Sequence, residues 1–228
     1  MKSLIVLTGA GISAESGIKT FRDAGGLWEG HDVMEVASPQ GWQKNPELVL
    51  DFYNQRRRQL HQVSPNRGHQ ILADLEADFE VHVITQNVDN LHERAGSTNV
   101  LHLHGELLKV RSTRDHQYIL NWEGDLLAEH KDPKGHPLRP HIVWFGEDVP
   151  LLYDAAVLAG KADVFLVVGT SLQVYPAAGL VAYTQPQVPV IYVDPNPAPL
   201  HGLPNPITVI AEPASTGMEK VQKMLREM

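Results

Sequence analysis

The sequence predicts an open α/β fold, a parallel sheet with helices on both faces, and three observations carry that reading. Short runs rich in Val, Ile and Leu at residues 4–7, 81–85, 164–168 and 190–193 read as buried strands. Amphipathic stretches at 46–61, 67–77, 151–158 and 216–225 read as the helices between and after them. Directly after the first run stands a Gly-x-Gly-x-x-Ala pattern, Gly9, Gly11 and Ala14. At a strand-to-helix turn such a pattern lets backbone approach a pyrophosphate, and the helix offers its N–H groups to the phosphates. The sheet is therefore expected to be Rossmann-like.

Taken in order, two regions break the strand–helix rhythm. Residues 23–62 carry a Gly-Gly loop and helices where a simple dinucleotide fold would place its second strand. Residues 109–141 are polar, weakly periodic, and end in Pro133, Pro137 and Pro140. No internal repeat or low-complexity tract is present.

A chain of 228 residues can bury a sizeable core as one domain or as a domain with a small insertion. Its net charge of -8 argues against a nucleic-acid surface and suits basic partners such as lysine-bearing peptides. With no cysteine there is neither a disulfide nor a thiolate metal site. The first strand begins at once after Met1 and Lys2, and no apolar run approaches the roughly 18 residues that span a bilayer. A cytoplasmic protein, without membrane partners and acting as a monomer, is expected.

Polar residues cluster at the predicted strand ends. Asp194 closes the run 190–193, where a carboxylate can accept from both hydroxyls of a ribose; the alternative is a turn residue before Pro195. Asp23, Glu29 and Asp32 occupy the usual window for a ribose-binding acid, but in a loop. Gln86, Asn87 and Asp89 follow the run 81–85, where Asn and Asp suit recognition of a carboxamide or the capping of a helix over 91–95. His104 is the candidate general base, since a neutral imidazole near pH 7 takes a hydroxyl proton at modest cost. His102, two residues earlier, reads as a packed, hydrogen-bonded histidine, or as a metal ligand with His92 or Asp89. Tyr53 and Arg56 lie three apart on a predicted helix, so a phenol and a guanidinium fork can meet one carboxylate; the alternative is a solvated run of Arg56, Arg57 and Arg58.

The glycine segment of residues 8–22, then Gln86-Asn-Val-Asp-Asn-Leu-His92, Leu103-His-Gly-Glu106 and Gly169-Thr-Ser171 occur in an order and spacing that resemble the sirtuins, the NAD-consuming protein deacylases. The resemblance implies two domains. Residues 1–22, 63–108 and 142–228 would form the Rossmann-like domain and 23–62 with 109–141 the smaller one, the site lying in the cleft between them. It implies that NAD is held by Gly9, Ala10, Gly11, Phe21, Arg22, Gln86, Asn87, Asp89, Gly169, Thr170, Ser171, Asp194 and Ala214, the last beside adenine. Phe21 would shield a developing cation and Arg22 order the cofactor loop. The acyl oxygen of a modified lysine would attack the ribose as nicotinamide leaves. His104 would then activate a ribose hydroxyl, giving O-acyl-ADP-ribose and free lysine, with Asn87 and Asp89 as partners in catalysis. The segment 142–147, with Val143, Phe145, Gly146 and Glu147, would pair with substrate backbone as an added strand. Tyr53 and Arg56 match the branch that removes succinyl and malonyl groups, including the bacterial CobB type. NAD hydrolysis or ADP-ribosyl transfer, non-enzymatic NAD binding, and hydride transfer are the rival readings.

Two departures from the family stand out. Asp194 replaces the usual Asn, and the four zinc-binding cysteines are missing, with Ser112 near the first of their positions. His116, His130 and His136 fit no common zinc spacing. A metal-free small domain is expected, with Tyr118, Ile119, Leu120, Trp122, Leu126 and Leu127 as its apolar core.

Overall fold

The computed structural model describes residues 1–19, 27–28 and 30–228, apart from the side chain of Leu27. The elements run β1 (Lys2–Thr8), α1 (Ala10–Ala14), β2 (Leu27–Trp28), β3 (His31–Asp32), α2 (Val33–Val36), α3 (Pro39–Lys44), α4 (Pro46–Leu60) and α5 (Arg67–Asp74). There follow β4 (Phe79–Thr85), α6 (Leu91–Ala95), β5 (Val100–His102), β6 (Gly105–Ser112), β7 (Ile119–Asn121) and β8 (Leu138–Ile142). The chain closes with α7 (Leu152–Ala159), β9 (Val164–Val168), β10 (Val190–Val193), β11 (Ile207–Ile210) and α8 (Ala214–Glu227). Two of the helix starts are written locally. Ser38 and Asn45 each accept a backbone N–H from within the next turn, and a proline follows each cap where no N–H is required.

Six strands form one parallel sheet in the order β11-β10-β9-β1-β4-β5. Alternate residues of β1 face opposite layers. Leu4 and Val6 pack with Ile71 and Leu72 of α5 and with Met218, Val221 and Leu225 of α8. Ile5 and Leu7 pack with Ala155 and Ala159 of α7 and with the short 3₁₀ helix at Ala177–Tyr183. Both faces are thus covered, as an all-parallel sheet requires. Thr8 lies level with Thr85 and Val168, Thr85 with His102, and Val168 with Val193, so five strands present their carboxyl ends along one edge.

A second, antiparallel sheet has the order β7-β6-β8. β6 runs across position 108, so the boundary expected there falls within a strand. Its core joins Leu50 of α4 to Val110, Leu126 and Leu138, with Tyr118, Leu120 and Trp122 packed against them. Ile119 and Leu127, expected in this core, are exposed instead. The arginine run is not solvated. Arg57 is fully buried and donates from Nε to Leu107 O at 2.9 Å and from Nη1 to Asn54 Oδ1 at 2.7 Å, while Asn54 also bonds both main-chain groups of Leu126. Burial lowers the Arg57 pKa to about 10, which leaves it charged at neutral pH. Arg58 alone of the three is exposed, paired with Asp125.

Among the described residues, no group of three or more His, Cys, Asp or Glu side chains is arranged to hold a metal, so the donors present do not fit the family's zinc. A hydrogen-bonded knot ties the two ends of the region 112–138 instead. Asp132 accepts from Ser112 Oγ at 2.7 Å, from the main-chain N of Lys134 and His136 at 2.8 and 2.9 Å, and pairs with His136 Nδ1 at 3.0 Å. The Ser112 hydroxyl in turn accepts from Arg114 and Asp115 N. His130 accepts from Leu127 N and packs edge-on against Trp122, and His116 is exposed. No helix among the described residues is long and apolar enough to cross a membrane.

The knot makes a testable statement about stability. Burial acts to raise the Asp132 pKa, but the Ser112 and His136 bonds outweigh it and hold the carboxyl below the usual carboxylate range. A depressed acid stabilises the fold above its unfolded value, about 3.9, and loses that contribution as pH falls toward the folded one. Asp132→Ala is therefore expected to lower the thermal midpoint by several degrees at pH 7, with the gap to wild type closing below pH 4. Scanning calorimetry across pH checks it, and a chelator should leave the wild-type midpoint where it was.

Candidate active site

The aligned strand ends open into a cleft of roughly 520 Å³. The loop after β1 is pressed against the loop after β9: Gly9 N donates to Val168 O at 3.1 Å and Gly11 N to Gly169 O at 2.8 Å. A Cβ at Gly11 would stand 2.7 Å from Gly169 Cα, and one at Gly169, whose φ is +62°, 2.2 Å from Ile12 N. The glycines thus serve a loop-to-loop contact as well as an open cleft wall, which Gly9, Ala10, Gly11, Gly169, Thr170 and Ser171 all line. Tyr192 of β10 steadies this wall by donating its hydroxyl to Thr170 O at 2.8 Å. Asp194 is a turn residue that borders the cleft, its Oδ1 accepting from Asn196 N at 2.8 Å.

At the centre, His104 Nδ1 lies 3.0 Å from Gln86 O. A donating Nδ1–H leaves Nε2 as the basic nitrogen. Burial pushes the His104 pKa below the usual value, so the ring is neutral at pH 7. Gln86 Nε2 donates to Thr170 Oγ1 at 3.2 Å. Asn87 is fixed by Nδ2 bonds to Gly9 O at 3.1 Å and Ser13 Oγ at 3.2 Å, which turns its amide oxygen into the acceptor left for a ligand. Asp89 accepts from Ser13 Oγ at 3.0 Å and from Leu91 N at 3.1 Å, so it caps α6 and lines the cleft at once. Burial raises the Asp89 pKa. Beneath them His69 and His92 meet edge-on at 4.9 Å, both held neutral by burial; the His69 pKa falls to about 4. His92 bonds Thr8 Oγ1 at 3.0 Å and joins neither His102 nor His104, which removes the metal reading of these histidines.

At the far end, Tyr53 and Arg56 of α4 line the same cleft. The Arg56 guanidinium lies 4.2 Å over the Trp28 ring, and Trp28 meets Phe52 edge-on. Tyr53 is fully buried, which raises its pKa, and its oxygen accepts from Trp144 Nε1 at 3.0 Å. Its own O–H is thereby aimed elsewhere. Strand β8 stops at Ile142, and 143–147 forms no strand of its own: Glu147 N turns back to Trp144 O. The Glu147 carboxylate is engaged by Arg139 at 2.7 and 3.1 Å and by Arg111 at 3.3 Å, and it accepts from Trp144 N. It is a brace within the loop rather than an exposed strand end.

His104, Gln86, Asn87, Asp89, Asp194, Tyr53, Arg56, Val143, Phe145, Gly146 and Glu147 therefore all border one cleft. Ala214 does not. Its methyl faces Gly68 and the α5–α8 core, and Pro213 borders the cleft in its place. Phe21 and Arg22 lie outside the described residues. Ser13, Trp28 and Trp144 escaped the sequence reading; Ser13 and Trp144 sit inside motifs that were read for their neighbours.

A family model described as the Sir2 family matches residues 9–176. An NAD-dependent protein deacylase of Helicobacter pylori (strain ATCC 700392 / 26695) is 56% identical over 228 residues, covering 100% of this chain and 99% of its own length. One from Bacteroides thetaiotaomicron is 53% identical over 232 residues, covering 99% and 98%. Among solved structures, a Sir2 homolog–NAD complex superposes with a TM-score of 0.89 at 40% identity, covering 99% of this chain and 90% of that one. A Sir2 protein with deacetylated p53 peptide and 3'-O-acetyl ADP ribose superposes at 0.81 and 29% identity, covering 97% and 92%.

The loop contact can be tested directly. Gly11→Ala must push backbone off backbone, an overpacking that costs about 1–3 kcal/mol. A lowered unfolding midpoint together with loss of dinucleotide binding by titration calorimetry is expected; unchanged binding would free the cleft wall from this contact.

Proposed function

The chain belongs to the Sir2 family, and from that premise we propose that it is an NAD-dependent protein lysine deacylase whose channel also takes acidic acyl groups. The observation that carries the reading is one cleft with the Asp194 carboxylate at one end, the neutral His104 at its centre and a Tyr–Arg pair at the other. NAD, when bound, supplies a glycosidic bond whose nicotinamide departs in favour of the lysine acyl oxygen. The Asp194 carboxylate accepts from the adenosine ribose, and the Gly9–Gly11 and Gly169–Ser171 loops flank the phosphates. Asn87 Oδ1 accepts from the nicotinamide carboxamide because its Nδ2 is already committed. His104 Nε2 would take the proton of a ribose hydroxyl that attacks the imidate carbon, and addition of one water would then release free lysine and O-acyl-ADP-ribose. The segment 143–146, running on beyond β8 at the cleft edge, offers main chain to an extended peptide.

Acidic acyl groups follow from the far end. A carboxylate there meets the Arg56 guanidinium, and Tyr53 has its oxygen already occupied by Trp144 and its hydrogen left to donate. The reading places the protein as a cytoplasmic monomer acting on acylated lysine in proteins, with a net charge of -8 arguing against a polyanionic partner.

Mass spectrometry of acetyl- and succinyl-lysine peptides, with and without NAD, tests the proposal. NAD-dependent loss of both acyl groups with nicotinamide release is expected, and His104→Ala should reduce turnover by about 10²–10⁴-fold. Tyr53→Phe and Arg56→Met should lower succinyl removal by on the order of tenfold or more, with acetyl removal much less changed. NAD consumed while peptides stay intact would move the reading to hydrolysis or ADP-ribosyl transfer.

A further inference from the structure

We propose that His102, charged and paired with Glu93, is a positioning residue that clamps the Asn87 carbonyl and so sets the geometry of the nicotinamide end of the cleft. His102 and His104 stand two residues apart at the end of β5 and hold successive carbonyls of the loop after β4. His104 Nδ1 reaches Gln86 O at 3.0 Å and His102 Nδ1 reaches Asn87 O at 3.0 Å. They differ at the other nitrogen. His102 Nε2 lies 2.6 Å from Glu93 Oε1, so its ring faces an acceptor on each side. Two acceptors require two ring protons, hence an imidazolium, whereas His104 must be neutral to act as a base.

Among the described residues His102 is the donor to the Asn87 carbonyl, while its neighbours in the loop are held on the same side by His104 at Gln86 O and by Leu107 N at Val88 O. The other anchors of Asn87 all come from the β1–β4 side: its N donates to Thr85 Oγ1, and its Nδ2 to Gly9 O and Ser13 Oγ. Loss of one His102 proton leaves either Glu93 or the Asn87 carbonyl without a donor, and the carbonyl can then turn. The pair is no surface ornament, since the His102 side chain is only 7% exposed while Glu93, at 40%, keeps its carboxylate partly solvated.

The charges around the ring favour the imidazolium. Glu93 and His92 face it from α6, Asp89 from the preceding loop, and Glu106 with Lys109 from β6. His92 is neutral, and Lys109 is bound to Glu106 at 2.6 Å. Burial works to lower the His102 pKa, but Glu93, the Asn87 carbonyl and Glu106 together raise it above the usual histidine value. The proton is therefore held more tightly than on an ordinary histidine and is lost as pH rises through that raised value. The same charge helps keep the buried Asp89 ionised.

The test is the pH profile of kcat/KM for NAD at saturating acetyl-lysine peptide. Wild type should show an acid limb below the ordinary histidine value of about 6.5, set by His104, and an alkaline limb above it, set by His102. Glu93→Gln, at the solvent end of the pair, should move the alkaline limb about one pH unit or more toward acid and leave the acid limb in place. His102→Gln, which retains one donor for the Asn87 carbonyl, should remove the alkaline limb. It should also raise KM for NAD by about tenfold, with peptide KM little changed. No alkaline limb in wild type, an alkaline limb unmoved by Glu93→Gln, or equal changes in both KM values would each overturn the proposal.

Discussion

The contact between the loop after β1 and the loop after β9 is the constraint on which the site depends. Gly11 N donates to Gly169 O at 2.8 Å, with no room for a Cβ on either residue. The central strand β1 is in register with both β4 and β9, and the contact extends that register past the strand ends. The cleft wall is therefore made of backbone that cannot retreat. Everything downstream is hung from it: Asn87 bonds Gly9 O and Gln86 bonds Thr170 Oγ1, so the polar groups of the β4 loop are located by the glycine loops.

Charge inside this protein is held by hydrogen-bond partners, although Arg57 Nη2 has none among the described residues. Arg57, fully buried, has Leu107 O and Asn54 as acceptors, and Glu147 has two arginines and a main-chain N–H. Asp132 accepts from four donors. Such groups are costly to bury alone, and removing one partner strands the rest. Together they fasten the small sheet to α4 and close the region 112–138, work that a zinc ion bound to four thiolates would do in a relative that has them. The substitution exchanges a few strong bonds for many weaker ones, so the resulting stability depends on the ionisation of Asp132 rather than on metal supply.

The large sheet was legible because its code is local. Runs such as 164–168 and 190–193 are apolar at nearly every position, and the strands begin and end where the runs do. β5 and β11 were not, being short and, in β11, half exposed, with too little hydrophobic contrast to mark them. The glycines, His104 and the Asn87–Asp89 pair were readable as motifs. Burial was not: the run Arg56-Arg57-Arg58 looks solvated in sequence, yet its first two members are interior because α4 is covered by the small sheet on one side and the cleft on the other. Ala214 failed for a related reason. Being next to a cleft residue along the chain says nothing about which way a helix start points its methyl.

His104 and the segment 143–146 are parts of one hydrogen-bonded line. Val143 N donates to His104 O at 2.9 Å, His104 Nδ1 reaches Gln86 O at 3.0 Å, and Gln86 Nε2 donates to Thr170 Oγ1 at 3.2 Å. The line runs from the 143–146 edge of the cleft through His104 to the loop after β9. Trp144, the next residue after Val143, carries it sideways to Tyr53. A shift of the 143–146 segment on peptide binding would be transmitted through main chain to the carbonyl of His104, not through a flexible side chain. The neutral ring is thus placed by contacts at both edges of the cleft, and burial in that position lowers its pKa.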